Sequence, residues 1–355
     1  MLFDIYIFRN FLLAFLSVNL VSVLLVTLYA LLEFILGFKE KSVKIAVEYF
    51  LNFLPLGFYY LSFITGGISL VVFLKRIIDK KIDLTVQSFG ISPLRFSFSV
   101  FLFFFLLSLI FLLGNQYIFP KLLGNLWYIE KHYKKKQKIS GIIKNFWFLK
   151  EDRYRTYYYV GNLNLSDGIL IDMVAVKVEK STLTPLEELK VFTGLWKRDE
   201  IIVYSGEVYD LIKGDKKILN FKKVKIGINL KDVELFSTKI DFLTLKDLLI
   251  LYAKSKAVGL NADTYGGELL FRVLFSFFPF FVSLLTFHLF FMWRDLKKVS
   301  AGMVLGLMIL WLIILSPKLI TQKANQPLYF SLIPISFLVI LSLKGIYNLG
   351  KGFRV

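Results

Sequence analysis

Apolar residues in this chain gather into six long runs, set in two groups of three. The runs cover residues 11–36, 50–74 and 94–113, then 269–292, 301–316 and 328–343. A helix needs about 20 apolar residues to cross about 30 Å of hydrocarbon, so each run predicts a membrane span. The fifth is short by that measure and is expected to extend into its flanks. The first is too long for a signal peptide and has no small-residue cleavage site, so it reads as a retained span. The opening LFDIYIFRNFL mixes Asp4, Tyr6 and Arg9 with apolar residues. That mixture predicts an interfacial segment ahead of the first span.

Between the third and fourth runs the pattern changes to short alternating segments. FWFL, RTYYYVGNL, GILIDMVAVKVE, LKVFTGLW, EIIVYSGEVY and KILNFKKVKIGINL are separated by SDG, KRDE and KGDKK. Short strands at this spacing predict an antiparallel sandwich or roll. Alternation sets Val174, Val176 and Val178 against Ala175, Lys177 and Glu179. One helix is expected near TLKDLLILYAKSKAVG. The expected organisation is therefore 1–120 (an interfacial helix and spans one to three), 121–262 (a β domain) and 263–355 (spans four to six). The fold class is an α-helical membrane protein with six transmembrane helices and an external antiparallel β domain between helices three and four.

The polar stretch KRIIDKKIDLTVQSFGISPLRF separates the second and third runs. Ile78, Ile82, Val86 and Phe89 fall at i, i+4, i+8 and i+11, one face of a helix. Asp79, Asp83 and Gln87 fall on another. Gly90 ends the helix and Pro93 blocks its continuation. The spacing predicts a brief surface helix, either a plain connector or a docking element for a soluble partner.

Composition agrees with spans. The chain of 355 residues is 56% hydrophobic and only 20% charged, with 38 Phe and a mean hydropathy of +0.64. It has no cysteine and two histidines, which excludes disulfides, zinc ribbons and multi-histidine metal sites. No phosphate-binding GxxxxGK[ST] loop occurs, so the chain is not expected to hydrolyse ATP itself. The net charge of +18 has a sidedness. With the N-terminus inside, inner loops and ends hold twelve Lys and Arg, against five in the short outer loops. Both termini are then cytoplasmic and the β domain external. Residues 121–262 carry 26 Lys and Arg against 17 Asp and Glu, a net +9. Lys134, Lys135, Lys136 and Lys138 form a run suited to anionic headgroups or simply to water. Nucleic acid is not expected outside the membrane.

Three acidic or basic positions lie inside or beside the spans. Glu268 and Arg272, at i and i+4, can pair along the fourth span, either to ease entry or to face a cavity. Glu33 poses the same choice, with Lys39 and Lys41 near enough in sequence to neutralise it. Tyr157, Tyr158 and Tyr159 suit an acyl-binding interior or plain β core.

Several phrases together resemble the lipopolysaccharide-export permease family of the LptF/LptG type. They are IYIFRNFL; QSFGIS, Gln87 to Ser92; GNQYIFPKLLGN, with Gly114, Asn115 and Pro120; and YGGELLFRVLFSFFPF, with Tyr265, Arg272 and Pro279. An acid often stands in that family at the Asn115 position. The family also has Glu eight residues before the glycine of its coupling helix, where this chain has Ile82 followed by Asp83. The resemblance implies a β-jellyroll domain in the periplasm and a place in the bacterial inner membrane. It implies a second permease chain, identical or paralogous, an LptB-type ATPase dimer and an LptC-type bridge. ATP and Mg are then handled by the ATPase, and this chain binds no cofactor or metal. Asp79, Ile82, Asp83, Gln87 and Gly90 would form the coupling helix. Lys39, Lys41 and Lys44 would meet the phosphates or acidic sugars of lipopolysaccharide or a related glycolipid. Glu33, Glu268 and Arg272 would be gate or cavity charges, with the first and fifth spans lining lateral gates. A self-sufficient secondary transporter and a membrane-anchored lipid-binding scaffold are the competing readings.

Overall fold

A computed structural model of the chain describes residues 2–38, 42–134, 142–151, 153–164, 167–226, 238–255 and 261–350. The chain divides into two compact units, Met1–Lys136 with Gly267–Val355, and Gln137–Gly266. In chain order the helices are α1 (Leu2–Gly37), α2 (Val43–Asp79), α3 (Ile82–Ser88), α4 (Pro93–Tyr117) and α5 (Phe119–Ile129). Strands β1 (Ile142–Glu151), β2 (Arg155–Asn164), β3 (Ile169–Val178), β4 (Pro185–Lys197), β5 (Glu200–Asp210), β6 (Lys216–Leu219) and β7 (Lys222–Lys225) follow. Then come α6 (Leu245–Ser255), α7 (Ala262–Ser276), α8 (Phe278–Trp293), α9 (Leu296–Lys318) and α10 (Leu332–Gly350).

Among the described residues, five helices are long and apolar enough to cross a membrane: α1, α2, α4, α9 with its π-turn, and α10. The expected fourth span is instead two helices, α7 and α8, bent by 50° where they meet. Pro279 explains the break. Having no N–H, it cannot bond the Phe275 carbonyl, and its ring crowds the preceding turn. The bent pair makes a sixth crossing only if both halves count as one. The chain is a multi-pass membrane protein.

Two apolar cores run through the helical unit. One gathers Ile7, Phe11 and Phe15 of α1 with Phe73 and Ile77 of α2, Val86 of α3, Phe96 and Phe104 of α4, Phe287 of α8, Val299 of α9 and Leu349 of α10. The other gathers Phe34, Tyr49, Phe111, Leu126, Ile129, Phe278 and Ile314. The start of α1 and the start of α9 lie in the first core, and their later turns in the second. The two cores therefore mark opposite ends of one bundle. The opening LFDIYIFRNFL is not a separate interfacial element. It is the first third of α1, because Ile7 and Phe11 recur on one face and are fully buried. Hydroxyls within the spans bond back one turn, as Ser17 does to the Leu13 carbonyl at 2.7 Å and Thr27 to that of Val23 at 2.7 Å. That satisfies them where no water competes. The helical unit continues past residue 120, since α5 buries Leu126 and Ile129 in its core.

The second unit is an antiparallel meander. Each strand from β1 to β6 pairs with the next, and β7 pairs with β5. β6 joins the second half of β5 (Gly206 to Tyr209) and β7 the first half (Glu200 to Val203). The two are one edge strand interrupted at Phe221, where φ is 51°. Gly168 has φ of 74°, and a Cβ there would strike the Trp196 carbonyl, so the turn after β2 requires glycine. The alternation expected along β3 is broken twice. The buried residues are Leu170, Met173, Ala175 and Val178. Asp172 has φ of 60°, and the register to β4 shifts between Lys177 and Val178. Val174 and Val176 are consequently on the less buried face. Tyr158 is core, stacked on Phe148 at 4.6 Å, whereas Tyr157 is exposed. Helix α6 appears where expected. Thr244 Oγ1 accepts from the Asp247 N–H and Asp247 Oδ2 from the Thr244 N–H, each at 3.1 Å, which is a capping box.

Candidate functional site

Two polar sites stand out, one at each end of the helical bundle. The first is built on α3. Helix α2 runs unbroken to Asp79, and the chain then reverses at Lys81, where φ is 52°. Ile78, Ile82 and Val86 of the face expected across residues 78–89 do meet on the first core, and Phe89 departs from it. Val86 is buried in the first core and Ile82 packs partly against it. Phe89 is 77% exposed and Leu84 is 56% exposed. Asp79 ends α2 and is exposed, while Asp83 lies half-buried in the first turn of α3. Gln87 lies in α3. Gly90 takes φ of 69°, then Ser92 caps α4 by accepting from the Arg95 N–H at 3.3 Å, with Pro93 in the first turn. The Arg95 guanidinium reaches Asp4 at 3.0 Å, tying the start of α4 to the start of α1.

The second site is buried at the opposite end. Glu268 Oε1 accepts from Arg272 Nε at 2.9 Å, the i, i+4 pair expected. Its other oxygen, Oε2, meets Lys318 Nζ at 3.0 Å and the Gln322 amide at 3.1 Å. Glu268 is 2% exposed, so this carboxylate needs its partners. The Lys318 side chain is 29% exposed and rests over the Phe271 ring. Gly267 permits the approach, since a Cβ there would collide with the Thr321 hydroxyl and the Pro317 carbonyl. The network continues inward. Ser276 Oγ donates to the Arg272 carbonyl at 2.8 Å, and Asn115 Nδ2 reaches Ser276 Oγ at 3.0 Å and Tyr59 Oη at 2.8 Å. It thereby joins α9, α7, α4 and α2.

Glu33 is separate from this network. Its Oε2 accepts from Tyr49 Oη at 2.9 Å, which places the pair at the outer turns of α1 and α2. Lys44 is exposed in the first turn of α2. Lys39 and Lys41 lie outside the described residues, as do Lys135, Lys136 and Lys138. Lys318 and Gln322 carry no local signal toward Glu268, because they follow it by some fifty residues. Phe89, expected on one apolar face with Ile78, Ile82 and Val86, is instead exposed, and Leu84 carried no signal as an outward residue. Among the described residues no cluster of acids and histidines could hold a metal ion.

Comparison with known proteins fits this layout. The family described as lipopolysaccharide export system permease LptF/LptG matches residues 5–348. A protein of Aquifex aeolicus (strain VF5), described as uncharacterized, is 58% identical over the whole of both chains. A family match across nearly the entire length, spans and sheet alike, leads to one conclusion: the chain belongs to the LptF/LptG family of lipopolysaccharide export permeases.

Proposed function

We propose that the chain is the membrane subunit of an ATP-driven complex that lifts lipopolysaccharide, or a related anionic glycolipid, out of the bacterial inner membrane. It pairs with a second permease chain, identical or paralogous. An LptB-type ATPase dimer binds on the cytoplasmic side and hydrolyses ATP with Mg. The β domain passes lipid toward an LptC-type bridge in the periplasm.

The observation that carries this reading is α3. Val86 roots it in the bundle, while Leu84 and Phe89 present apolar surface outward beside Asp79 and Asp83. Exposed aromatic and aliphatic anchors flanked by charge are what a docking partner buries. At the other end Lys318 is the more exposed of the two cations paired with Glu268. Arg272 and Gln322 still satisfy Glu268 if Lys318 turns to a lipid phosphate. Lys44, exposed in the first turn of α2, adds positive charge, and Lys39 and Lys41 are proposed from the sequence to act with it.

The test is co-expression with the ATPase and the second permease. The double variant L84S/F89S should reduce copurifying ATPase about tenfold or more. Unchanged copurification and unchanged coupled ATP hydrolysis would defeat the docking claim. D79A/D83A tests the acids in the same assay. Charge reversal of Lys39, Lys41 and Lys44 to Glu should weaken lipopolysaccharide crosslinking, and full crosslinking would count against the headgroup role.

A further inference from the structure

Midway along α1, Asn19 is 7% exposed. Its Nδ2 donates to the Phe15 carbonyl at 2.8 Å, which fixes how the amide is turned. Asn19 Oδ1 therefore faces away from its own helix backbone, and among the described residues it accepts from no protein donor. It lines a small notch between α1 and α2 with Ser22, Val26, Gly57, Phe58, Leu61 and Thr65. The two hydroxyls there donate elsewhere. Ser22 Oγ bonds the Val18 carbonyl at 3.0 Å, and Thr65 Oγ1 the Ser62 carbonyl at 3.3 Å. The notch thus offers three acceptors and no donor. Close by, Gly57 packs so tightly on Val26 that a Cβ would collide with it, so the seam cannot close further to bring a donor across.

We infer that this notch binds one water molecule. Its volume of about 10 Å³ is near the minimum for a single water, and three polar atoms meet the requirement for holding one. The water donates to Asn19 Oδ1 and to a hydroxyl oxygen of Ser22 or Thr65, bridging α1 and α2 in the middle of the hydrocarbon. An acceptor stranded there would otherwise keep the full penalty of its desolvation. A water bridge also tolerates small sliding of α1 on α2, which a direct side-chain bond would not.

A map of the full chain in its complex, in lipid nanodiscs and sharp enough to place waters, tests this. The expected result is a compact peak about 2.7–3.2 Å from Asn19 Oδ1 that is missing in Asn19→Leu. Featureless density at that point overturns the inference. So does elongated density entering from the neighbouring apolar groove, which would make the donor a lipid hydroxyl. X-ray hydroxyl-radical footprinting gives a second readout on the wild-type protein alone. A bound water should produce oxidation of Phe58 or Leu61, and full protection of both overturns it.

Discussion

Glu268 illustrates how little of a buried charge site is local. Along the sequence it is one member of an i, i+4 pair. In the bundle it answers to two cations and an amide, and the two cations differ in exposure. Arg272 is 6% exposed, whereas the Lys318 side chain is 29% exposed. Removing the carboxylate should therefore be costly and removing Lys318 should not. We expect Glu268→Ala to destabilise the helical unit by about 3–5 kcal/mol. Lys318→Met should cost at most about 1 kcal/mol, the range for a partly exposed pair. The midpoint of SDS-induced unfolding in mixed micelles compares the two. Equal losses would mean that Glu268 depends on Lys318 as much as on its own charge, and the headgroup role would lose its basis. Asn115 is the other residue on which helices converge. Asn115→Leu removes the amide donor shared by Tyr59 Oη and Ser276 Oγ in an apolar site, while Ser276 keeps its bond to the Arg272 carbonyl, an expected cost of about 1–3 kcal/mol in the same assay.

At the scale of elements, periodicity located nearly every helix and strand but misplaced their breaks. The hydrophobic runs are a property of composition, so spans were legible. Breaks depend on single backbone dihedrals that no run of apolar residues reports. The turn at Lys81, the left-handed backbone at Asp172 and the 50° bend before Pro279 each ended an element, broke an alternation or split a span. Pro279 could have warned of the bend, since proline in a helix interior removes a bond. Lys81 and Asp172 gave no warning, because neither is glycine. Nor did residues far apart in sequence announce that they meet, as Glu268 and Lys318 do. The turn after α3 is the exception, where Gly90 was read as a stop and takes φ of 69°. Nothing lies within 4 Å of a Cβ placed there. Gly90→Ala should therefore act through the backbone alone, at about 1–2 kcal/mol. It should tilt α3 and lower ATPase copurification, with Gly90→Asn, which tolerates a positive φ better, recovering part of the loss. Wild-type copurification by Gly90→Ala would show that the turn is not what aims the docking helix.

For the whole molecule, the two polar sites matter only if they face opposite sides of one membrane. The sidedness rests on basic residues. Counted along the sequence with the N-terminus taken as inside, the inner loops and ends hold twelve Lys and Arg against five in the short outer loops. Cytoplasmic loops retain such charge. Because the chain has no cysteine, single introduced thiols report their side without background. Ser88 at the end of α3 and Ser181 in the turn after β3 are both exposed, so neither thiol is shielded by its own fold. In spheroplasts, a membrane-impermeant maleimide should label Ser181→Cys at once and Ser88→Cys only after lysis. The reverse pattern would put α3 in the periplasm, where no ATP-driven partner could dock. Labelling of both before lysis would mean that α4, the one candidate span between the two positions, does not cross the membrane, and the assignment of ends would have to be rebuilt from there.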